Sequence, residues 1–271
     1  MAFTVRSVDA GFSAAMRWHL EPFRREVGEQ HAFPVDVFIQ EEDRELRPAM
    51  YSSFFATSPG TRHASLPDHL QHLLWAVNDG VGKRVCDFLL LHAGAVGSDG
   101  GAILLPAEMG SGKSTTVVAM LEAGFAYLSD EFGAVDPITG HLYPVAKRIA
   151  IGWETLAHLP GLEDRLQDRG VDGFGLPQRF IRPEDVGSSV SPPLPVRAII
   201  VPVADFDGPP RLEPLSSASA VETMAGSSFN LFRYEDRGVV LLSRLAREAD
   251  AFRLLGGTPS ERGELLRERF G

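Results

Sequence analysis

The spacing of apolar residues changes period along this chain, and each change predicts an element. Residues 32 to 40, AFPVDVFIQ, alternate apolar and polar positions, as a half-buried strand does. From 65 to 85, SLPDHLQHLLWAVNDGVGKRV, the spacing becomes helical. Leu70, Leu73, Leu74 and Val77 share one face, Ser65 is placed as the N-cap, and Pro67 falls in the first turn, where its missing N–H costs nothing. Beyond 86 the pattern is that of strands. FLLLHAGAV and GAILLPA flank GSDGG, which predicts a hairpin, and SGKSTTVVAMLEAG then predicts a helix closed by Gly124. FAYLSDEFGAVD reads as a strand carrying acids, PITG as a turn, HLYPVAKRIAI as a further strand and WETLAHL as the start of a helix.

Residues 160 to 195 are rich in Gly, Pro and charge and make no regular core element over their whole length, so they form either a linker or a loop over a site. VRAIIVPVAD returns as a buried strand, SSASAVETMAG as a capped helix and GVVLLSRLAREA as another. The short apolar piece AFRLL and a terminal helix from Pro259 complete the chain. Strands and helices alternating around a Gly-rich loop predict an α/β domain over 86 to 271, preceded by a smaller α+β region over 1 to 85.

Composition narrows the partners. The 271 residues are 44% apolar and 23% charged, ordinary for a globular protein, and suffice for one large domain or two smaller ones. Acidic groups outnumber basic ones 36 to 26, a formal charge of -10, which argues against nucleic acid or an anionic membrane as a partner. The single cysteine, Cys86, can form no internal disulfide and reads as a small buried hydrophobe in RVCDFLLLHAGAV. No apolar run approaches transmembrane length, and the first residues are too broken by charge to read as a signal peptide. The expectation is a cytoplasmic protein.

The chemistry concentrates between His92 and Arg148. Ala107-x4-Gly112-Lys113-Ser114 is a phosphate-binding signature, preceded by apolar AILLP and followed by a good helix. Small residues at Ala107, Gly110, Ser111 and Gly112 let backbone N–H groups point at a triphosphate, and the helix they enter starts at a positive dipole end. Ala107, Glu108, Met109, Gly110, Ser111, Gly112, Lys113, Ser114 and Thr115 are thus the expected nucleotide-binding stretch. Lys113 would contact the β- and γ-phosphates, and the Ser114 hydroxyl would complete the shell of Mg²⁺.

Asp130 and Glu131 follow after room for only one helix and one return strand, which puts them on the strand next to the loop's own, near the γ-phosphate. Adjacent residues of a strand point to opposite faces, so a division of labour is expected: one acid accepts the proton of a substrate hydroxyl, and the other, Glu131, serves the metal beside Ser114. His92 ends an apolar run. It reads either as a satisfied core residue or as a group of the site, with the small residues Ala93 and Gly94 leaving space beside it. Lys147, Arg148, Arg179 and Arg182 are candidate phosphate or substrate contacts, or solvated surface. His69 and His72 share a helical face without an evident third ligand, so no metal site is expected there.

LHAGAV, LLPAEMGSGKSTT and GFAYLSDEFGAVD, in that order and spacing, resemble the catalytic domain of HPr kinase/phosphorylase. They resemble still more its smaller relatives found with peptide-modifying gene clusters, including kinases of lasso-peptide precursors. The resemblance is specific over about 88 to 150. It implies a P-loop kinase fold related to phosphoenolpyruvate carboxykinase, with ATP and Mg²⁺ as cofactors and the γ-phosphoryl group passed to a serine of a peptide or small protein. It implies that Asp130 is the catalytic acid/base, that His92 sits beside it, and that Lys113 and Ser114 bind phosphate and metal. Self-association is also implied by the family's oligomers. The chain departs from the bifunctional family in having Asp130-Glu131 for a paired Asp-Asp, in lacking a Glu-Ile-Arg-Gly type stretch after residue 140, and in its first 85 residues. The kinase direction is therefore expected without the reverse phosphorylase and without HPr as substrate. A small-molecule hydroxyl kinase and a nucleotide-gated binding module with slow ATPase activity are the alternative readings.

Overall fold

The computed structural model describes residues 2–7, 10–23, 32–40, 50–55, 58–63, 66–108, 110–166 and 178–271. These form a mixed α/β protein that divides into two compact units, with the boundary between Val85 and Cys86. The first unit contains a four-stranded sheet, β1 (Ala2–Ser7), β2 (Ala32–Gln40), β3 (Met50–Phe55) and β4 (Ser58–His63), in that order. β1 and β2 run parallel and the remaining pairs antiparallel. Helices α1 (Ala10–Leu20) and α2 (Leu66–Arg84) accompany it. α1 buries Phe12, Ala15 and Met16, and α2 buries Leu70 and Leu73, all at helical spacing within their element. The predicted cap Ser65 lies outside the described residues, as does the His69 side chain.

The second unit is built on an eight-stranded mixed sheet. Its first hairpin is β5 (Leu89–Ser98) and β6 (Gly101–Pro106), joined by Asp99-Gly100, where Ser98 pairs with Gly101. Helix α3 (Lys113–Glu122) follows the Gly-rich loop, and the chain returns as β7 (Ala126–Ser129), β8 (Phe132–Val135) and β9 (His141–Tyr143). β10 (Ile149–Gly152), the short helices α4 (Trp153–Leu156) and α5 (Leu162–Leu166), and β11 (Gln178–Ile181) come next, with β10 and β11 paired as a separate antiparallel ribbon. The remainder is β12 (Leu194–Pro202), β13 (Arg211–Pro214), α6 (Ser217–Gly226), α7 (Glu235–Glu248), β14 (Asp250–Leu255) and α8 (Pro259–Phe270). The sheet order is β13-β14-β12-β6-β5-β8-β9, with β7 also on β5 and β9 turning back to pair with the start of β12.

Both faces of this sheet are covered, which explains why AILL is apolar without alternation. Ile103 and Leu105 point to one face and pack with Val117, Met120, Leu266 and Phe270 of α3 and α8. Ala102 and Leu104 point to the other and pack with Met224, Leu242 and Leu245 of α6 and α7. Ser216 caps α6 by accepting from the Ser219 N–H, and Thr258 with Glu261 forms a capping box at α8.

Several expectations need correction. The single strand expected over 125 to 136 is two, interrupted at Asp130 and Glu131. The one expected over 141 to 151 is β9 and β10, with residues 144–148 irregular between them. The acids do not neighbour the loop's own strand: β7 and β8 both pair with β5, which lies between them and β6. Antiparallel pairing with β6 leaves β5 one free edge, and that edge takes the returning chain. His92 lies within β5 rather than at its end. Cys86 is exposed, because it precedes the first buried position of β5 at Leu89. Of 160 to 195, residues 167 to 177 lie outside the description. The flanks carry α5, β11 and a 3-10 turn at Pro183–Val186. Among the described residues, no helix is long and apolar enough to cross a membrane.

Leu266 is fully buried between α8 and α3 and the sheet. Leu266→Ala is expected to lower stability by about 2–5 kcal/mol in urea unfolding. A loss under about 1 kcal/mol would mean that α8 does not pack as described.

Candidate functional site

Strand β5 exchanges its neighbours on both edges at His92. On one edge β8 pairs with Leu89 to His92, and β7 takes over from Ala95 to Gly97. On the other, Ser227 and Phe229 bond to His92 and Leu90 through the backbone, and β6 takes over from Ala93. Two loops therefore open beside one residue: the Gly-rich loop after Pro106, and the Asp130-Glu131 turn between β7 and β8. β6 and β7 both run antiparallel to β5, and β12 and β14 run parallel to β6, so the carboxyl ends of all four strands meet at one end of the sheet. Ligands of α/β proteins bind at that end.

The loop and α3 are held close to β5. Gly94 lies under the first turns of α3, and a Cβ there would stand 2.5 Å from Val117 Cγ2 and 3.2 Å from Lys113 Cγ. Gly112, the residue before α3, has a φ of 83°, and Gly110 one of 82°, a left-handed backbone that favours glycine. No side chain caps α3 at Gly112, so the helix's first N–H groups carry its dipole without a capping oxygen there. Ala107 is buried and Glu108 exposed, whereas Ser111, Gly112, Ser114 and Thr115 are half-buried. Met109 lies outside the described residues.

Lys113, only 7% exposed, donates from Nζ to the Asp130 carbonyl oxygen at 2.6 Å and stands 3.3 Å from His92 Nε2. Burial, then the positive charge of Lys113, hold His92 below the usual histidine range. The ring is therefore neutral, with Nε2 accepting from Lys113, and its 3.7 Å approach to Glu131 Oε1 brings two acceptors together rather than an ion pair. His92 thus stands beside Lys113 and Glu131, and Lys113 links it to the Asp130 carbonyl.

The two acids occupy opposite environments. Asp130 is 4% exposed; its carboxyl lies beside the Ser114 hydroxyl, and its Oδ1 is buried with no partner among the described residues. Burial raises its pKa, and Lys113 and Ser114 offset only part of that rise. Glu131 is ion-paired to Lys147 at 3.0 Å. Burial works to raise this group as well, but Lys147 and then Lys113 outweigh it and hold its pKa down. The acid beside Ser114 is Asp130, while Glu131, the expected metal ligand, faces Lys147 and His92. Tyr127 fixes Lys147 in turn by donating to its carbonyl at 3.0 Å.

Of the other cations, Arg148 is buried next to Lys147. Arg182 makes two bonds to the buried Asp185 carboxylate, at 2.9 and 3.0 Å, inside the 3-10 turn. Arg179 lies over the Trp153 ring at 4.3 Å. Only Lys147 among the four is in direct contact with the acids. Among the described residues no cluster of three His, Cys, Asp or Glu could hold a metal without other donors. Two groups flanking the loop were missed in the sequence, Phe206 and the fully buried Arg262, whose ring and Nη1 atom stand 3.2 and 3.9 Å from a Cβ built at Gly112. No local motif marks them, because they reach the loop from 94 and 150 positions downstream. No protein-family model matches the chain, and no curated protein matches it.

A carboxyl whose folded pKa is raised costs stability once it ionises. The unfolded chain loses its proton near pH 4, the folded one only at higher pH, so stability falls across that window and stays lower above it. Asp130→Asn cannot ionise and is expected to raise the Tm at pH 7, with the gain vanishing below pH 4. A lower Tm for the variant at pH 7 would contradict the burial assigned to this group.

Proposed function

We propose that the chain is an ATP- and Mg²⁺-dependent kinase that transfers the γ-phosphoryl group to a hydroxyl, with a serine of a peptide or small protein as acceptor. The observation that carries this reading is the buried Asp130 carboxyl. It stands beside Ser114 at the start of the helix after the Gly-rich loop, is raised in pKa, and has an oxygen with no partner among the described residues. A nucleotide switch has no need of a base there, whereas transfer to a hydroxyl does. The opposed shifts of Asp130 and Glu131 give two acids different tasks at one pH. The resemblance to HPr-kinase-like proteins supports the class of acceptor.

On this reading the N–H groups at the start of α3 and the Lys113 ammonium bind the β- and γ-phosphates. The acceptor oxygen forms a bond to the γ-phosphorus while the bond to the β,γ-bridging oxygen breaks, releasing ADP. Asp130 takes the hydroxyl proton. His92, neutral and bonded to Lys113, orients the ammonium, and Lys147 keeps Glu131 ionised at the rim of the site. The Ser114 hydroxyl at the start of α3 is a hard oxygen donor of the kind that holds Mg²⁺ together with substrate phosphates and water. The ion would neutralise charge on the phosphates.

Incubation with γ-labelled ATP, Mg²⁺ and serine-containing peptides is expected to label the peptide. Asp130→Asn and Lys113→Ala are each expected to reduce transfer by about 100-fold or more. Because the base must be ionised, the acidic limb of the rate profile should lie above the ordinary aspartate value near 3.9. Undiminished transfer by Asp130→Asn would remove the base from its role, and ATP hydrolysis with no labelled product would favour a nucleotide-gated binding module.

A further inference from the structure

The loops after β12 and β14 lie across β6 from the acids and carry a built feature that the transfer chemistry leaves unused. Arg262, on α8, is fully buried and ties these loops together. Its Nε donates to the Gly256 carbonyl at 2.8 Å, and Nη2 donates to the carbonyls of Val203 and Asp205 at 3.0 and 2.6 Å. The Gly256 N–H adds a bond to Asp205 at 2.9 Å. The guanidinium lies under the ring of Phe206, 4.4 Å from its centroid, and its Nη1 is buried with no hydrogen-bond partner among the described residues. That unpaired nitrogen is on the side of the phosphate loop, 3.9 Å from a Cβ built at Gly112. A buried donor without an acceptor is costly, and its missing partner has to come from outside the protein. Phe206 itself is 48% exposed, although it is fixed from below by a cation and at its edge by the loop.

Strand order sets the direction in which a nucleotide would lie. Asp130 emerges on the β5 side of the loop, whereas Phe206 emerges on the β12 side. A triphosphate with its γ-group at Asp130 therefore extends its other end toward Phe206. We propose that the Phe206 ring, backed by Arg262, is the stacking platform for the base of the nucleotide, so that the chain selects a nucleoside triphosphate over bare polyphosphate. This rests on the nucleotide reading of the 107–114 loop. Aromatic rings bind bases by their π-faces, and the cation beneath fixes the ring's plane.

Titration calorimetry with Mg²⁺ separates the two claims by using ATP and inorganic tripolyphosphate as paired probes. Phe206→Ala is expected to weaken ATP binding about 10- to 100-fold while leaving tripolyphosphate unchanged, and Phe206→Tyr to retain ATP affinity. Lys113→Ala should weaken both probes. Equal weakening of both by Phe206→Ala, or of neither, overturns the platform. So does equal affinity of the unaltered protein for both probes, a result that leaves the phosphate loop standing. Binding of neither probe by the unaltered protein overturns the nucleotide reading and the platform with it.

Discussion

The approach of α3 to β5 at Gly94 is the constraint on which the rest of the site depends. No side chain fits between them, since even a methyl group would meet Val117 and the stem of Lys113. That closeness lets a lysine at the first position of a helix reach across the sheet edge to His92 and to the Asp130 carbonyl. Had α3 stood farther off, Lys113 would extend into solvent, the turn between β7 and β8 would lose its tether, and the Gly-rich loop would not share a corner with the acids.

From this contact the electrostatics follow. Lys113 is close to both acids and to His92, yet the three respond differently because burial differs and because Lys147 pairs directly with Glu131 while acting on the other two without contact. The result is one carboxyl that resists ionisation, one that keeps its charge, and an imidazole held neutral between two ammonium groups. Burying Asp130 with an unpaired oxygen opposes stability, which is the usual signature of a group retained for chemistry.

The hairpin, the helix after the loop, the turn at 137–140, the capped helix after Ser216 and the terminal helix from Pro259 were all legible, because each is set by local spacing, caps and turn residues. The breaks at Asp130-Glu131 and at 144–148 were not. Apolar residues continue on both sides of each, and periodicity cannot register that a strand changes its partner. The expected burial of Cys86 failed for a related reason: its apolar neighbours begin the strand only three residues later, at Leu89. β13 and β14 were not foreseen as strands, and with them went the sheet edge whose loops carry Phe206.

What the sequence determined by itself is the list of chemical groups near the loop. Small residues, a lysine and a hydroxyl at fixed spacing can only serve a helix N-terminus, and that relation is local. The tertiary structure alone decided which acid faces Ser114 and which faces Lys147, that His92 meets Lys113 and Glu131, and that Arg262 and Phe206 reach Gly112. Those relations join residues tens to well over a hundred positions apart, and strand order and the tight packing of α3 on β5, rather than any pattern along the chain, bring them within bonding distance.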